Sequence, residues 1–365
     1  MNLSRIQNIL LAVAILCLAG CTEPPIPPEI KQAEEQALAL WRSEVPVYLP
    51  EEYGQYKKTF IKAKANFIRE KSRLIFFRNY THVQSEYRQL LQTGNSIIVQ
   101  LEGKKQEFSR KTEEKLSFLG DQIETLKRLS KTMNEGRLAR RNLIQAEVIL
   151  IEAKKRFERG DFIGADEKTP SLAQHIKAAE KTLYPIVTRY SDKKQIGQWQ
   201  QWFDDTIAES RTRKIPVIVI NKSERTLTLY KRGNAAKSYK IGLGRNGSKD
   251  KIHAGDYATP EGRYKIIKKL PRSRYHKALL INYPNEDDRR QFEFAKKKGL
   301  IPRTVSIGGL IEIHGGGKDS MTYGCIAMDN QNINELYGLI SVGTPVTIIG
   351  AVDARNRFSS GIQGK

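Results

Sequence analysis

Apolar and polar positions divide the chain into two regimes. Between Glu51 and Thr169 there is no proline, and the stretch is rich in Lys, Glu, Arg, Gln and Leu. Leu116, Leu119, Ile123, Leu126, Leu129 and Met133 recur at three- and four-residue steps, the period of one helix face. A second stripe runs through Ala139, Leu143, Ala146, Ile149, Ala153 and Phe157. Gly94-Asn95, Asn134-Glu-Gly136 and Arg159-Gly160-Asp161 interrupt the pattern, which therefore predicts antiparallel helices joined by short turns. Residues 153–165 resemble the turn of a helical-hairpin repeat, but no fixed period is sustained and a solenoid is not expected. These stripes read as packing faces, not as cofactor boxes.

From Ile215 the pattern turns β-branched. Ile215–Ile220 and Thr226–Tyr230, separated by Asn221-Lys-Ser-Glu224, predict a hairpin, and Lys237–Ile241 a third strand. Gly242-Leu-Gly244-Arg-Asn-Gly247 formally satisfies the dinucleotide fingerprint, but that site needs a helix opening on the glycines, and Ser248–Asp256 reads as loop. The glycines are expected to turn the strand. Tyr264–Ile267 is a further strand, after which Lys268–Gly309 is expected to interrupt the sheet as a lid or substrate-capping insertion. Within it Asn285 is a candidate cap for a short helix, acidic at its start (Glu286, Asp287, Asp288) and basic before Gly299. A helix from Asn330 to Gly343, a strand Val346–Ile349 and a loose tail complete the chain. The expected fold class is α+β and multidomain. An all-α helical hairpin or bundle region (51–212) precedes a mostly β domain (213–350), with 351–365 as tail.

The N-terminus is expected to lie outside the fold. Arg5, the apolar run Ile9–Leu18 and Leu18-Ala-Gly-Cys21 form a leader, too short for an ordinary membrane span. Its end resembles the lipobox of bacterial lipoproteins, which implies lipidation of Cys21. Glu23-Pro-Pro-Ile-Pro-Pro28 then reads as an extended tether within residues 22–50. The net charge of +22 would ordinarily raise nucleic acid as a partner. Export removes that polymer, so anionic wall polymers and lipid headgroups are the expected partners.

Three cysteines are present, and with Cys17 and Cys21 in the leader Cys325 is the sole thiol of the folded body. That excludes an internal disulfide framework and a multi-cysteine metal site. Leu310–Ile313 delivers His314 into three glycines, and Cys325 follows within reach of a turn. A thiolate is the useful nucleophile, and an imidazole is the commonest way to make one, so Cys325 and His314 are the candidate catalytic pair. A thiol activated in this way should be alkylated fast at neutral pH. No metal or cofactor is implicated.

The run His314…Thr322-Tyr-Gly324-Cys325-Ile-Ala-Met328 resembles the active-site motif of the L,D-transpeptidase (YkuD-type) family. Ala258-Thr-Pro260-Glu-Gly262-Arg-Tyr264-Lys-Ile266 resembles a second family signature. Ser273-Arg-Tyr275, Ile281–Asn285 and Gly343-Thr-Pro-Val346 extend the similarity over roughly residues 215–350. The resemblance implies a YkuD-like catalytic domain that transfers acyl groups on peptidoglycan stem peptides through a Cys325 thioester. His314 would be the base, oriented by a carbonyl near Gly315–Gly317. Backbone N–H groups of Tyr323, Gly324 and Cys325 would form the oxyanion hole. Gly315, Thr322, Tyr275 and Lys318 are candidate substrate contacts, with His276 beside Tyr275. Family members often carry a cation at Tyr323, and Arg or Asn at Ala327. Lys318, Arg274 or Arg263 could supply that charge instead. Some members ending in Ala-Met resemble hydrolases that detach lipoprotein from the wall, so the acceptor (water, a stem peptide or a protein lysine) stays open. A non-catalytic wall-binding lipoprotein is the third reading. The resemblance places the protein in the periplasm, anchored by lipid to the outer or, less favoured, the inner membrane.

Overall fold

The computed structural model describes residues 23–359; the leader and Cys21 lie outside them. The described residues divide into two compact units, with the boundary at Glu113/Glu114.

In the first unit, helices Glu29–Arg42 (α1), Val45–Tyr48 (α2), Pro50–Lys71 (α3) and the start of Thr81–Thr132 (α4) enclose a core that includes Ala33, Leu40, Tyr56, Tyr87 and Leu90. The extended tether expected over 22–50 is thus helical from Glu29. Its proline run ends at Pro28, and beyond it Ile30, Ala33 and Leu40 recur at helical spacing on a buried face. The break expected at Gly94-Asn95 is absent, because α4 runs through it. A Cβ at Gly94 would sit 2.1 Å from Gln36 Oε1. Gln36 occupies that space, donating to Leu91 O and Asn95 Oδ1 and accepting from the Tyr56 hydroxyl. Glycine here gives close helix approach, and its helical cost is offset by a satisfied buried amide.

In the second unit the end of α4 is followed by Gly136–Glu158 (α5), Phe162–Asp166 (α6), Thr169–Arg189 (α7) and Lys193–Arg213 (α8). Both expected turns are present, and at the second Asp161 accepts from the Gly164 N–H to open α6. Eight strands follow in the order β3-β2-β1-β8-β4-β5-β6-β7. They are Pro216–Asn221 (β1), Thr226–Lys231 (β2), Asn234–Lys240 (β3), Gly262–Ser273 (β4), His276–Ile281 (β5), Glu312–His314 (β6), Ile326–Ala327 (β7) and Pro345–Ile349 (β8). β1–β8 and β6–β7 are parallel; the other neighbours are antiparallel. Helices Glu286–Lys297 (α9) and Asn330–Leu339 (α10) complete the unit, and α9 opens on a capping box between Asn285 and Asp288.

Strand β1 is buried on both faces, which is why it reads as a continuous apolar run. Ile218 and Ile220 enter one core with Leu227, Ile333 and Leu336. Val219 points the other way, into a core shared with the helical stripes (Leu126, Leu143, Ile176) and Trp199. The helices after Glu114 and the sheet therefore bury one continuous apolar body, not two domains meeting near residue 213. Residues 351–359 belong to it too, where a loose tail was expected. Phe358 packs edge-on against Tyr190 at 4.6 Å, and Asn356 Nδ2 donates to Tyr190 O. The expected interruption from Lys268 begins instead with strand. β4 continues to Ser273 and pairs with β5 through two register shifts that disguise the alternation. Among the described residues no helix is long and apolar enough to cross a membrane.

A buried charge cluster locks the helices to the sheet's loops. Glu261 accepts two bonds from Arg189 (2.8 and 2.6 Å), one from Lys222 Nζ (2.8 Å) and one from Trp199 Nε1 (2.8 Å). Its own N–H donates to Asp250 Oδ1. The cations hold the Glu261 carboxyl down at about 2, whereas burial and the Glu261 charge raise Asp250 to about 7. A raised carboxyl binds its proton more tightly when folded, so Asp250 contributes stability at low pH that is lost as pH rises toward about 7. Replacing Asp250 by Asn should flatten that decline, read as the urea midpoint at pH 5 and at pH 7.5.

Candidate active site

Strand β6 places His314 beside β7: Ile313 pairs with Ile326 and His314 with Ala327, so Cys325 sits immediately before the short parallel strand. Met328 N donates to His314 O and Gly317 N to Met328 O, closing the glycine turn onto the residues after the cysteine. On the other side the glycine run lies along the cysteine loop. Gly242 and Ala327 exchange backbone bonds, Thr322 N donates to Leu243 O, and Arg245 N donates to Thr322 O. A Cβ at Gly242 would stand 2.4 Å from Ser320 O and one at Gly244 2.2 Å from Tyr257 O. These glycines serve close approach to the cysteine loop more than the turning of a strand.

His314 is 4% exposed, and its Nδ1 lies 2.6 Å from the Gly315 carbonyl. A carbonyl only accepts, so Nδ1 carries the proton and the lone pair of the neutral ring falls on Nε2. Tyr275 stacks on the ring at 4.5 Å and 26°. Tyr275 itself is 40% exposed at the β4–β5 turn, so it forms an outer wall of the histidine. His276 turns away, with Nε2 2.9 Å from Asn334 Oδ1 on α10. Burial pushes the His314 pKa below its ordinary 6.5, against the Gly315 bond and the Glu312 charge.

The Cys325 thiol is partly exposed, and Sγ lies 3.7 Å from the Leu310 carbonyl. Burial raises its pKa above the ordinary 9.0 despite a backbone hydrogen bond from Glu312. The resting pair is therefore neutral thiol and neutral imidazole. That alters the expectation of fast alkylation at neutral pH: below its pKa the thiolate fraction, and so the rate, rises about tenfold per pH unit. Iodoacetamide labelling should be slow at pH 7 and still climbing at pH 9, followed by intact-mass measurement.

Thr322 ties the loop together, donating to Cys325 O at 2.6 Å and accepting from Gly324 N at 3.1 Å. The Gly324 N–H is spent in that bond and is removed from the expected oxyanion set. Thr322 is a brace of the loop. Gly324 has φ +133°, and a Cβ there would meet Ala258 O at 2.7 Å. Glycine is needed because of the Ala258 carbonyl, not to clear a path to sulfur. Gly324→Ala should lose about 1–3 kcal/mol and displace the loop, seen as a lower melting temperature and altered alkylation.

The expected compensating cations are mostly occupied. Lys318 Nζ pairs with Asp329 Oδ2 at 3.0 Å, and Arg263 faces Asp205 and Glu209 at 3.5 and 3.9 Å. Arg274 stays exposed beside Tyr275. A cation does lie over Tyr323: Arg245, which sequence reasoning passed over. Its guanidinium lies 5.1 Å from the Tyr323 ring and 5.9 Å from Tyr257, and those two rings pack at 5.3 Å. Its position inside the rejected glycine fingerprint hid it. Ala327, where the resemblance leads one to expect Arg or Asn, is fully buried.

Residues 215–348 match the family model for YkuD, the L,D-transpeptidase catalytic domain. Over 131 residues the chain is 37% identical to the protein named "Putative L,D-transpeptidase YafK" of Escherichia coli strain K12. That alignment covers 34% of this chain and 46% of YafK, so the chain spans about half of that relative's length. An L,D-transpeptidase from Mycobacterium smegmatis is similar in structure at 16% identity and a TM-score of 0.24, over 36% of this chain and 58% of the other. L,D-transpeptidase 1 of Mycobacterium tuberculosis is similar at 15% identity and a TM-score of 0.25, over 37% and 62%.

Proposed function

We propose that the protein is a cysteine-dependent L,D-transpeptidase acting on peptidoglycan stem peptides. The observation that carries the reading is the placement of Cys325 one residue ahead of a strand paired with His314, whose Nδ1 is fixed on the Gly315 carbonyl. Cys325 Sγ attacks the carbonyl carbon after the third stem residue while its proton passes to His314 Nε2. The N–H groups of Tyr323 and Cys325 take the oxyanion, because that of Gly324 is engaged by Thr322. Collapse breaks the amide bond. The leaving D-alanine amine takes the proton from His314, and the stem stays on sulfur as a thioester. An acceptor amine then attacks, gives its proton to His314, and expels the thiolate, which is reprotonated. Because the resting thiol is protonated, His314 acts as a general base during attack.

In this reading the leader is removed, Cys21 carries lipid, and the catalytic unit works in the periplasm from a membrane anchor, the outer membrane favoured. The support is the sequence of residues 1–21. Globomycin-sensitive processing and palmitate labelling lost in Cys21→Ala are the expected results; a soluble, unlabelled product would remove the anchor.

The test of the reaction is mass spectrometry of products after incubating protein lacking residues 1–21 with disaccharide-tetrapeptide, beside Cys325→Ala. Crosslinked dimers that the variant does not make are expected. Tripeptide alone would make water the acceptor and the protein an amide hydrolase. No change in either sample would overturn the catalytic reading and leave a wall-binding role.

A further inference from the structure

A cavity of about 590 Å³ lies where the α4–α5 hairpin meets the loop leading to the cysteine. Lys131, Arg137, Arg140 and Arg225 line it, with Met133 and Met321 among its apolar walls. Met321 directly precedes Thr322, the brace of the Cys325 loop. Among the described residues none of the four cations has a carboxylate within ion-pair distance; Arg137 and Arg225 donate to neutral oxygens of Asn134, Arg245 and Asn246. Lys127 and Glu147, both also on the wall, pair with each other, and Lys127 pairs with Glu124 as well. Elsewhere in the unit buried cations are matched: Arg189 and Lys222 share Glu261, and Lys251 has Asp256. Lys131 and Arg140 are exposed and Arg137 and Arg225 half-buried, so the cavity gathers four positive charges without a carboxylate in direct contact, although the charges of Glu135 and Asp319 reach Arg225.

The hairpin is held rigidly enough to define a site. Asn134 Nδ2 donates to Gly244 O at 2.7 Å, and Arg137 Nη1 donates to Arg245 O at 2.9 Å. Those carbonyls belong to the segment whose amides run along the cysteine loop, and Arg245 itself stacks on Tyr323. A cationic path thus leads from the cavity to the thiol loop.

We propose that this cavity is a binding subsite for a carboxylate-bearing peptide that takes part in the Cys325 reaction, with Lys131 and Arg140 at its rim as the free cations. A peptide fits better than a compact inorganic anion because the charges sit around an apolar wall, matching carboxylates spaced along a chain with aliphatic stems. The helical hairpin then acts as part of the substrate site. The ligand's identity rests on the acyl-transfer reading; the site itself does not.

The test measures fluorescence anisotropy of a labelled peptide carrying two carboxylates, against its bis-amide analogue, on Cys325→Ala protein, which needs no turnover. Expected is at least about tenfold tighter binding of the acid form, weakened by salt. The double variant Lys131→Glu/Arg140→Glu should lose at least about tenfold, whereas Lys154→Glu/Lys155→Glu, with the same charge change outside the cavity, should not. Neither Lys131 nor Arg140 makes a side-chain hydrogen bond among the described residues, so the variant should keep the wild-type melt. Equal binding of acid and amide, or equal loss in both double variants, would overturn the proposal. Displacement of the acid peptide by equimolar inorganic phosphate would overturn the carboxylate assignment. Peptide binding here without acyl transfer in the wild type would sink the functional reading and leave the subsite standing.

Discussion

Glu261→Ala is expected to destabilise the second unit by about 3–5 kcal/mol, because it strands two buried cations at once. Lys222 is fully buried and its ammonium is already pushed down by desolvation; with Glu261 gone its hydrogen bonds go only to the carbonyls of Lys249 and Thr259, with Asp250 as the carboxyl that still acts on it. Arg189 loses both of its carboxylate bonds and Trp199 its acceptor. A loss of this size lowers the melting temperature by roughly 6–20 °C in a unit of this length. The carboxyl of Glu261 is held below its ordinary 4.5. Its contribution is therefore complete above that value and disappears as pH falls toward about 2, so wild type and variant should converge in acid. Glu261→Gln keeps the shape and loses the charge. If it melts like the wild type, the ionic part of the argument fails.

His314→Ala is expected to slow thioester formation by about 10²–10⁴-fold, with Cys325→Ala abolishing it. The sign of the pH effect separates a general base from a mere packing group. His314 is held below its ordinary 6.5, so the wild type should keep its rate as pH falls through 6.5 and lose it only lower. The alanine variant has no base and must rely on spontaneous thiolate. Its rate should climb throughout the range in which Cys325 ionises, above 9. Single-turnover acylation, followed by intact mass between pH 5 and 10, gives both profiles. Parallel profiles would mean that His314 holds the loop in place and moves no proton.

What the sequence makes legible is local. The helical stripes, the Asn285 cap and the strands around His314 follow from periodicity and capping chemistry, and each is found where its residues predict it. The misreadings share one physical origin: a partner distant in sequence. Gly94 looks like a helix break until Gln36 is seen filling its place. Phe358 looks like tail until Tyr190 meets it. Glu261 lies within a family-like signature and draws no notice there, yet its partners Arg189 and Trp199 lie on helices that periodicity assigns to another domain. The closeness of Cys325 to the His314 strand is legible because a turn links them. Arg245 is not, because only folding lays the glycine segment along the cysteine loop.

The neutral resting state of the thiol also bears on chemical durability. Thiolates attack peroxides and small disulfides, and a cysteine held protonated reacts with them slowly until a base takes its proton. Among the described residues Cys325 is the sole free cysteine, with no resolving partner to rescue a sulfenic acid as a disulfide. Raising its pKa by burial therefore favours resistance to irreversible oxidation, and in the proposed acyl-transfer reaction turnover would be the moment of greatest chemical vulnerability.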